Sequence, residues 1–314
     1  MERIIKHLKN NYKIIIAFIL GVVISGGGVY AAVVITSKEI TYEDNTSIGA
    51  TNVQDAIDKL NTKATTKIAE AKKECPDGYD CIAKLSDFSK DSWSTIADKV
   101  RLKSYPYKIG DTKIVNMGDL GTHRVRVANT SGCTNGETSE TACGFVVEFA
   151  DIISEHIMNT TSINVGGWPA SAMRTYVNTT VYNALPSDLQ NVIATTKVIS
   201  GHGQTSGEAN FTSSDKLYLF STKEIYGKTD TAYKVEYDTA ETETRQLDYY
   251  KNKGITTSNS SGVIKQYNES NTSFWLRSAY ANNTYYFFLS SHMGSWNFYS
   301  ANGTKGVSPA FRIA

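Results

Sequence analysis

The sequence predicts an α+β domain set behind an N-terminal membrane-spanning helix, and three observations predict it. A basic flank is followed by one long apolar run. Through the middle of the chain, short β-branched or aromatic stretches are interspersed with amphipathic helical patterns. The C-terminal segment, 273–314, reads as a largely uncharged antiparallel meander.

Arg3, Lys6, Lys9 and Lys13 make residues 1–13 a cytoplasmic basic flank, and Ile14 to Ile35 carries no charge. As a helix that run reaches roughly 33 Å, close to the thickness of a bilayer core. Residues 14–35 therefore read as a signal anchor in a single-pass protein of the cell membrane, its C-terminal domain extracellular. A signal peptide cleaved near Val29-Tyr30-Ala31 is the alternative and gives a secreted protein. The cysteines agree with export. Cys75 and Cys81 flank one short turn-rich loop, Cys133 and Cys143 another, so two nearest-neighbour disulfides are the simplest arrangement. The net charge is +1, which provides no field toward nucleic acid, and no nucleic-acid partner is expected.

Residues 36–74 read as an extended segment followed by a stalk helix. Thr51 and Gln54 have capping-box spacing, and Val53, Ile57, Leu60 and Ala64 then form a thin apolar stripe. A thin stripe suits either packing against the chain's own domain or pairing with copies of itself, so a homo-oligomer through the stalk is one expectation.

Residues 75–314 form the main domain. Strands are expected at Lys113–Met117, Arg124–Asn129, Gly144–Phe149 and Leu217–Ser221. A helix is expected from Pro169 or Ala170 to about Asn183, with Met173, Tyr176, Val177 and Val181 on one face, and a second short helix follows Leu185-Pro186. Tyr237–Ser261 is poor in aliphatic residues and reads as a surface insertion. Ser273–Ser278, Tyr285–Ser291, Trp296–Ser300 and Gly306–Ile313 read as closing strands, with a turn at Asn302-Gly303.

From Ser278 to Thr304 there is no Asp, Glu, Lys or Arg, while Tyr, Asn and Ser crowd together. Tyr supplies amphipathic contact area at low entropic cost and Ser and Asn supply adaptable hydrogen bonds, as in antibody loops. A half-buried meander would favour aromatics too, but an exposed sheet face normally carries Lys and Glu. The candidate ligand-binding residues are Tyr280, Asn282, Asn283, Tyr285, Tyr286, Ser290, His292, Ser295, Asn297, Phe298 and Tyr299.

Gly166-Gly167-Trp168-Pro169, Met173 to Asn178, Leu185-Pro186 and the frame from Trp275-Leu276-Arg277-Ser278 to Gly306-Val307-Ser308-Pro309-Ala310-Phe311-Arg312 resemble a family of uncharacterised bacterial exported domains. Members look like C-type-lectin-like (formylglycine-generating-enzyme-like) folds, and some serve as variable proteins of diversity-generating retroelements. The resemblance implies a variable region at about 273–314, in which asparagine codons are altered at adenines. It also implies a structural frame of Trp168, Arg174, Trp275, Arg277, Gly306, Pro309, Phe311 and Arg312, the tryptophan and phenylalanine packing the core and the arginines hydrogen-bonding within the scaffold.

Enzymes of that fold bind copper through paired cysteines in their C-terminal part, and no cysteine follows Cys143. His7, His123, His156, His202 and His292 form no sequence cluster, and no nucleophile elbow, zinc-protease helix or phosphate loop occurs. No catalytic residue, metal or cofactor is expected. The sequence thus points to a non-enzymatic, surface-displayed binder of a protein or glycan on another cell, phage or host. A structural or assembly subunit and an enzyme of the formylglycine-generating type are the alternatives.

Overall fold

The computed structural model of the chain describes residues 23–25, 28–30, 55, 57–59, 61, 62, 86–204, 208–227 and 238–314. The chain forms two units, Met1–Ser86 and Asp87–Ala314.

In the first unit, β1 (Val23–Ser25) and β2 (Gly28–Tyr30) pair antiparallel, Val23 opposite Tyr30. This differs from the helix expected over 14–35. Gly26 and Gly27, between the two strands in the sequence, lie outside the described residues. Among the described residues no helix is long and apolar enough to cross a membrane; the rest of 14–35 lies outside them. Within the expected stalk, Asp55, Ile57–Lys59, Asn61 and Thr62 are helical, and Lys59 pairs with Asp55 at 3.0 Å, one turn apart. Thr51, Gln54, Cys75 and Cys81 lie outside the described residues.

The second unit mixes helix and sheet, as expected. Helix α1 (Trp93–Arg101) starts at Ser92, whose hydroxyl accepts the Thr95 amide at 3.1 Å. It buries Trp93, Ile96 and Ala97 along one face. Strands β3 (Thr112–Asn116), β4 (Thr122–Asn129) and β5 (Phe145–Phe149) follow within a residue or two of expectation. With β15 (Ala310–Ile313) they make a sheet in the order β15-β5-β4-β3.

A second sheet runs β13-β12-β11-β14-β6, from β6 (Ser154–Ile157), β11 (Phe274–Ala279), β12 (Tyr286–Ser290), β13 (Trp296–Ser300) and β14 (Thr304–Val307). The single closing strand expected at Gly306–Ile313 is in fact two, β14 in one sheet and β15 in the other. Pro309 lies between them and lacks the amide a continuous ladder needs; its carbonyl accepts the Phe149 amide at 3.0 Å. β14 also runs parallel to β11, so the C-terminus is no simple meander.

The expected helix is broken. Gly167–Ala170 (α2) and Ala172–Tyr176 (α3) are separated by Ser171, whose hydroxyl caps α3. A π turn, Val177–Val181, leads into Tyr182–Ala184 (α4), and Ser187–Gln190 (α5) follows. Met173, Val177 and Val181 are buried as the spacing predicted, while Tyr176 is half-buried. β7 (Thr196–Ser200) and β8 (Phe211–Asp215) form a hairpin of their own, as do β9 (Lys265–Tyr267) and β10 (Ser270–Thr272). Leu217–Ser221 makes only an isolated bridge, Tyr218 to Ala310. Ser221 instead caps α6 (Thr222–Tyr226) in a reciprocal box with Glu224.

The segment read as a surface insertion belongs to the core where it is described. Asp238, Glu241, Leu247, Asp248, Tyr250 and Ile255 are all buried, and α7 (Asp248–Asn252) packs against β4. Tyr250 donates to Glu148 at 2.8 Å, a carboxylate that also takes Lys265 at 2.6 Å and Arg126 at 2.9 Å. Burial pulls the Lys265 ammonium down to about 8 in spite of that carboxylate.

Candidate ligand-binding face

The hairpin β12–β13 carries most of the candidate residues. Five consecutive pairs run from Tyr286 opposite Ser300 to Ser290 opposite Trp296 without a register shift. Its tip is fixed from outside. Tyr226 donates to the Gly294 carbonyl at 2.7 Å, and a Cβ on Gly294 would lie 2.2 Å from the Ser260 carbonyl, so only glycine fits there.

At the other end, the 280–285 loop rests on Asn164. Its side-chain nitrogen lies 2.9–3.0 Å from the carbonyls of Tyr280, Asn283 and Tyr286, and its backbone amide reaches the Thr284 carbonyl at 2.6 Å. Asn283 also accepts the Tyr285 amide at 2.7 Å. The loop is thus held both by Asn164 from outside and by Asn283 from within.

The candidates divide by burial. Asn282, Tyr285, His292, Ser295, Asn297 and Tyr299 are exposed; Asn283, Tyr286 and Phe298 are half-buried. Tyr280 and Ser290 are buried and offer no face to a ligand. Ser290 donates inward to the Gly294 carbonyl at 3.2 Å. Tyr280 stacks on Phe298 at 4.6 Å between ring centroids, and Phe298 meets Tyr286 at 5.2 Å. Phe288 and Trp296, 6.1 Å apart, extend this aromatic ladder. The side chains of β13 alternate between the two faces of the sheet, outward Asn297 and Tyr299 on one and the half-buried ladder on the other. Tyr299 lies flat over Gly303, where a Cβ would meet its ring at 2.3 Å, and Lys305 sits 3.9 Å from its centroid.

Two residues that the sequence reading missed join this surface. Ile163 and Val165 flank Asn164 and are 44% and 53% exposed, beside Tyr285 at 52%. Nothing in their local sequence distinguishes them from core aliphatics; only the anchoring of Asn164 under the loop brings them there.

The frame residues lie beneath. Trp275 is fully buried and donates to the His156 carbonyl at 2.9 Å. Arg277 is buried against Glu224. Trp168 and Arg174 share Asp215, at 2.9 and 2.6 Å. Gly306 faces Ile152, which an added Cβ would approach to 2.7 Å. Phe311 is in the core, and Arg312 pairs with Glu140 at 3.0 Å.

Away from this face, Cys133 and Cys143 are disulfide-bonded, and their loop walls a polar cleft of about 470 Å³ with Lys223, Glu241, Arg245 and Lys251 opposite. Among the described residues no three His, Cys, Asp or Glu side chains are grouped to hold a metal. His123 and His156 bond to nearby carbonyls, and His156 stacks on Tyr176 at 4.2 Å.

Fold and face together define a mixed helix-and-sheet domain whose aromatic sheet edge carries no charged residue in its two outer strands. The chain belongs to a family of domains of unknown function, DUF6273, whose model matches residues 146–314. No curated protein and no solved structure matches it.

Proposed function

We propose that this protein is a non-enzymatic binder whose ligand contacts the β12–β13 hairpin and the 280–285 loop, held at a cell surface by its N-terminal apolar run. The observation that carries the reading is the exposure of Asn282, Tyr285, Asn297 and Tyr299 on a fixed backbone with no charge from Ser278 to Thr304. An uncharged aromatic surface of this kind usually marks a contact site. Exposed aromatic anchors on rigid strands give affinity at low entropic cost. The ligand is a protein or glycan.

In this reading the domain is a C-type-lectin-like scaffold diversified by a retroelement. Sibling copies of the gene should then differ at Tyr285, His292, Asn297 and Tyr299 and keep Tyr280 and Ser290. A near-copy of the 3′ coding end beside a reverse transcriptase gene is the genomic counterpart; sequencing the flanking DNA tests it.

The binding test displays the full chain and its Tyr285→Ala/Tyr299→Ala variant on cells and probes both with glycan and protein arrays. Loss of a wild-type signal with a melting temperature lowered by no more than about 4 °C supports the reading. Equal signals from both chains would sink it.

A further inference from the structure

We propose that the polar cleft walled by the Cys133–Cys143 loop binds a free amino acid, its ammonium group on Glu241 and its carboxylate between Lys223 and Lys251.

The cleft holds about 470 Å³, within the roughly 300–1,000 Å³ of small-molecule sites. Its walls are held by bonds made without a ligand. In the disulfide loop the Thr138 and Ser139 amides donate to the Glu243 carbonyl at 3.1 and 2.9 Å. Gln246 is fixed by two bonds from its side-chain nitrogen, to the Ile225 carbonyl at 2.8 Å and the Ile255 carbonyl at 2.9 Å. A site with walls set in advance loses little entropy when it is filled.

The charged side chains of the cleft divide into those already engaged and those left over. Arg245 is engaged, donating to Asp248 at 2.9 Å and to Asn129 at 3.3 Å. Glu137 is engaged by Asn135, whose backbone amide lies at 2.8 Å and side-chain nitrogen at 3.4 Å. Among the described residues Lys223, Lys251 and Glu241 have no ion-pair partner. What remains in the cleft is one carboxylate and two ammonium groups.

Glu241 is the exceptional member. It is only 8% exposed, and its Oε2 accepts no hydrogen bond among the described residues. Groups buried to that depth normally find their partners within the protein, and an unmet one marks a place where something else supplies the bond. Burial disfavours its charged form and Lys223 favours it, yet the two form no ion pair. A molecule seated between them satisfies both.

The charges select its chemistry. Glu241 calls for an ammonium donor and the two lysines for an anion, so the ligand carries both signs. The single guanidinium that could clasp a phosphate with two prongs is engaged by Asp248, whereas lysines meet a carboxylate as point charges. No aromatic side chain is among the described lining residues, which leaves a nucleobase, the flat face of a sugar or a quaternary ammonium without a ring to stack on. A compact zwitterion with an ammonium and a carboxylate group, as in a free amino acid, meets every one of these conditions.

The test takes the full chain in mild detergent and screens each proteinogenic amino acid by the rise in Tm, measured against each variant's own ligand-free value. Calorimetric titration then gives Kd for the amino acid that binds. Its N-acetyl derivative, without the ammonium, and its amide, without the carboxylate, should each bind about tenfold more weakly or worse. Glu241→Gln should weaken the amino acid by a similar factor and leave the N-acetyl derivative unaffected; Lys223→Met with Lys251→Met should weaken it likewise and spare the amide. The proposal is overturned if no amino acid binds, if either derivative binds as tightly as the amino acid, or if both variants bind like the parent. Tighter binding of O-phosphoethanolamine than of any amino acid also overturns it. None of these outcomes touches the reading of the β12–β13 face, which is tested at Tyr285 and Tyr299.

Discussion

Arg277 and Glu224 form a two-pronged ion pair in the core, Nη1 to Oε2 at 2.5 Å and Nη2 to Oε1 at 2.6 Å, with the side chains 1% and 0% exposed. Glu224 also closes the capping box of α6 with Ser221 and accepts the Thr244 hydroxyl at 2.9 Å. Arg277 donates further to the Leu219 carbonyl at 2.9 Å. One residue of the C-terminal frame therefore ties β11 to α6 and to the extended segment before it. Arg277→Ala strands a buried carboxylate and should cost about 3–5 kcal/mol. Arg277→Lys keeps the charge but loses the fork, and should still cost about 2 kcal/mol. Urea unfolding at neutral pH measures both; a lysine variant as stable as the parent would show that the fork contributes nothing.

Arg277 also marks the limit of what the sequence made legible. Its buried scaffold role could be anticipated from the frame motif, but its partner could not, because Glu224 is 53 residues away and that region reads as the end of a strand. Ser221-Thr222-Lys223-Glu224 has capping-box spacing, a local signal that the β-branched and aromatic run before it outweighed. α1 was missed in the same way, although Ser92 followed by Trp93, Ile96 and Ala97 has the cap and spacing of a short helix. β3, β4 and β5 were readable because alternation or β-branched density is a property of the segment itself. Tyr280 and Ser290 were misplaced for the opposite reason: composition marks a tract as uncharged and aromatic, but only register decides which residues point inward.

Trp168 and Arg174 converge on Asp215, to which Ser213 adds a bond at 2.7 Å. This carboxylate joins α2 and α3 to β8, and α2 in turn follows directly on Asn164. Asp215→Ala leaves the Trp168 N–H buried without a partner and should cost about 2–3 kcal/mol. It should also speed amide exchange in 280–286, since the Asn164 support moves with α2. Exchange confined to 167–176, with the 280–286 loop unaffected, would separate the helix from the loop.

Glu241 is buried, and among the described residues its Oε2 has no hydrogen-bond partner. Burial pushes this carboxyl above its ordinary value; Lys223 opposes the shift and Asp238 adds to it. A carboxyl raised on folding binds more protons in the folded than in the unfolded chain between the two values, so stability falls as pH rises through that window. Above it the charged form is a net cost. Glu241→Gln should therefore stabilise the domain at pH 7 by about 1 kcal/mol, or a rise in Tm of about 2–4 °C. The gain should disappear once the pH falls below the ordinary carboxylate range. Melting curves from pH 3 to 8 check this, and a variant gain independent of pH would assign the effect to something other than charge.

The tyrosines of the C-terminal tract should separate cleanly by position. Tyr285 and Tyr299 are 52% and 46% exposed, whereas Tyr280 is 8% exposed and stacks on Phe298. Removing an exposed side chain away from caps and networks usually changes stability by less than about 0.5 kcal/mol. Tyr285→Ala should fall within that limit. Tyr299→Ala should cost slightly more, since the ring covers Gly303 and holds Lys305 over its face, an exposed cation–π contact of about 0.5–1 kcal/mol. Tyr280→Ala opens a cavity under the ladder and should cost about 3–5 kcal/mol. Tyr280→Phe restores the packing and should recover most of that loss. Denaturant midpoints of the four variants, measured together, give the ranking. If Tyr285→Ala were as damaging as Tyr280→Ala, the loop would be a structural element, and the surface it shares with Ile163 and Val165 would no longer be free for a ligand.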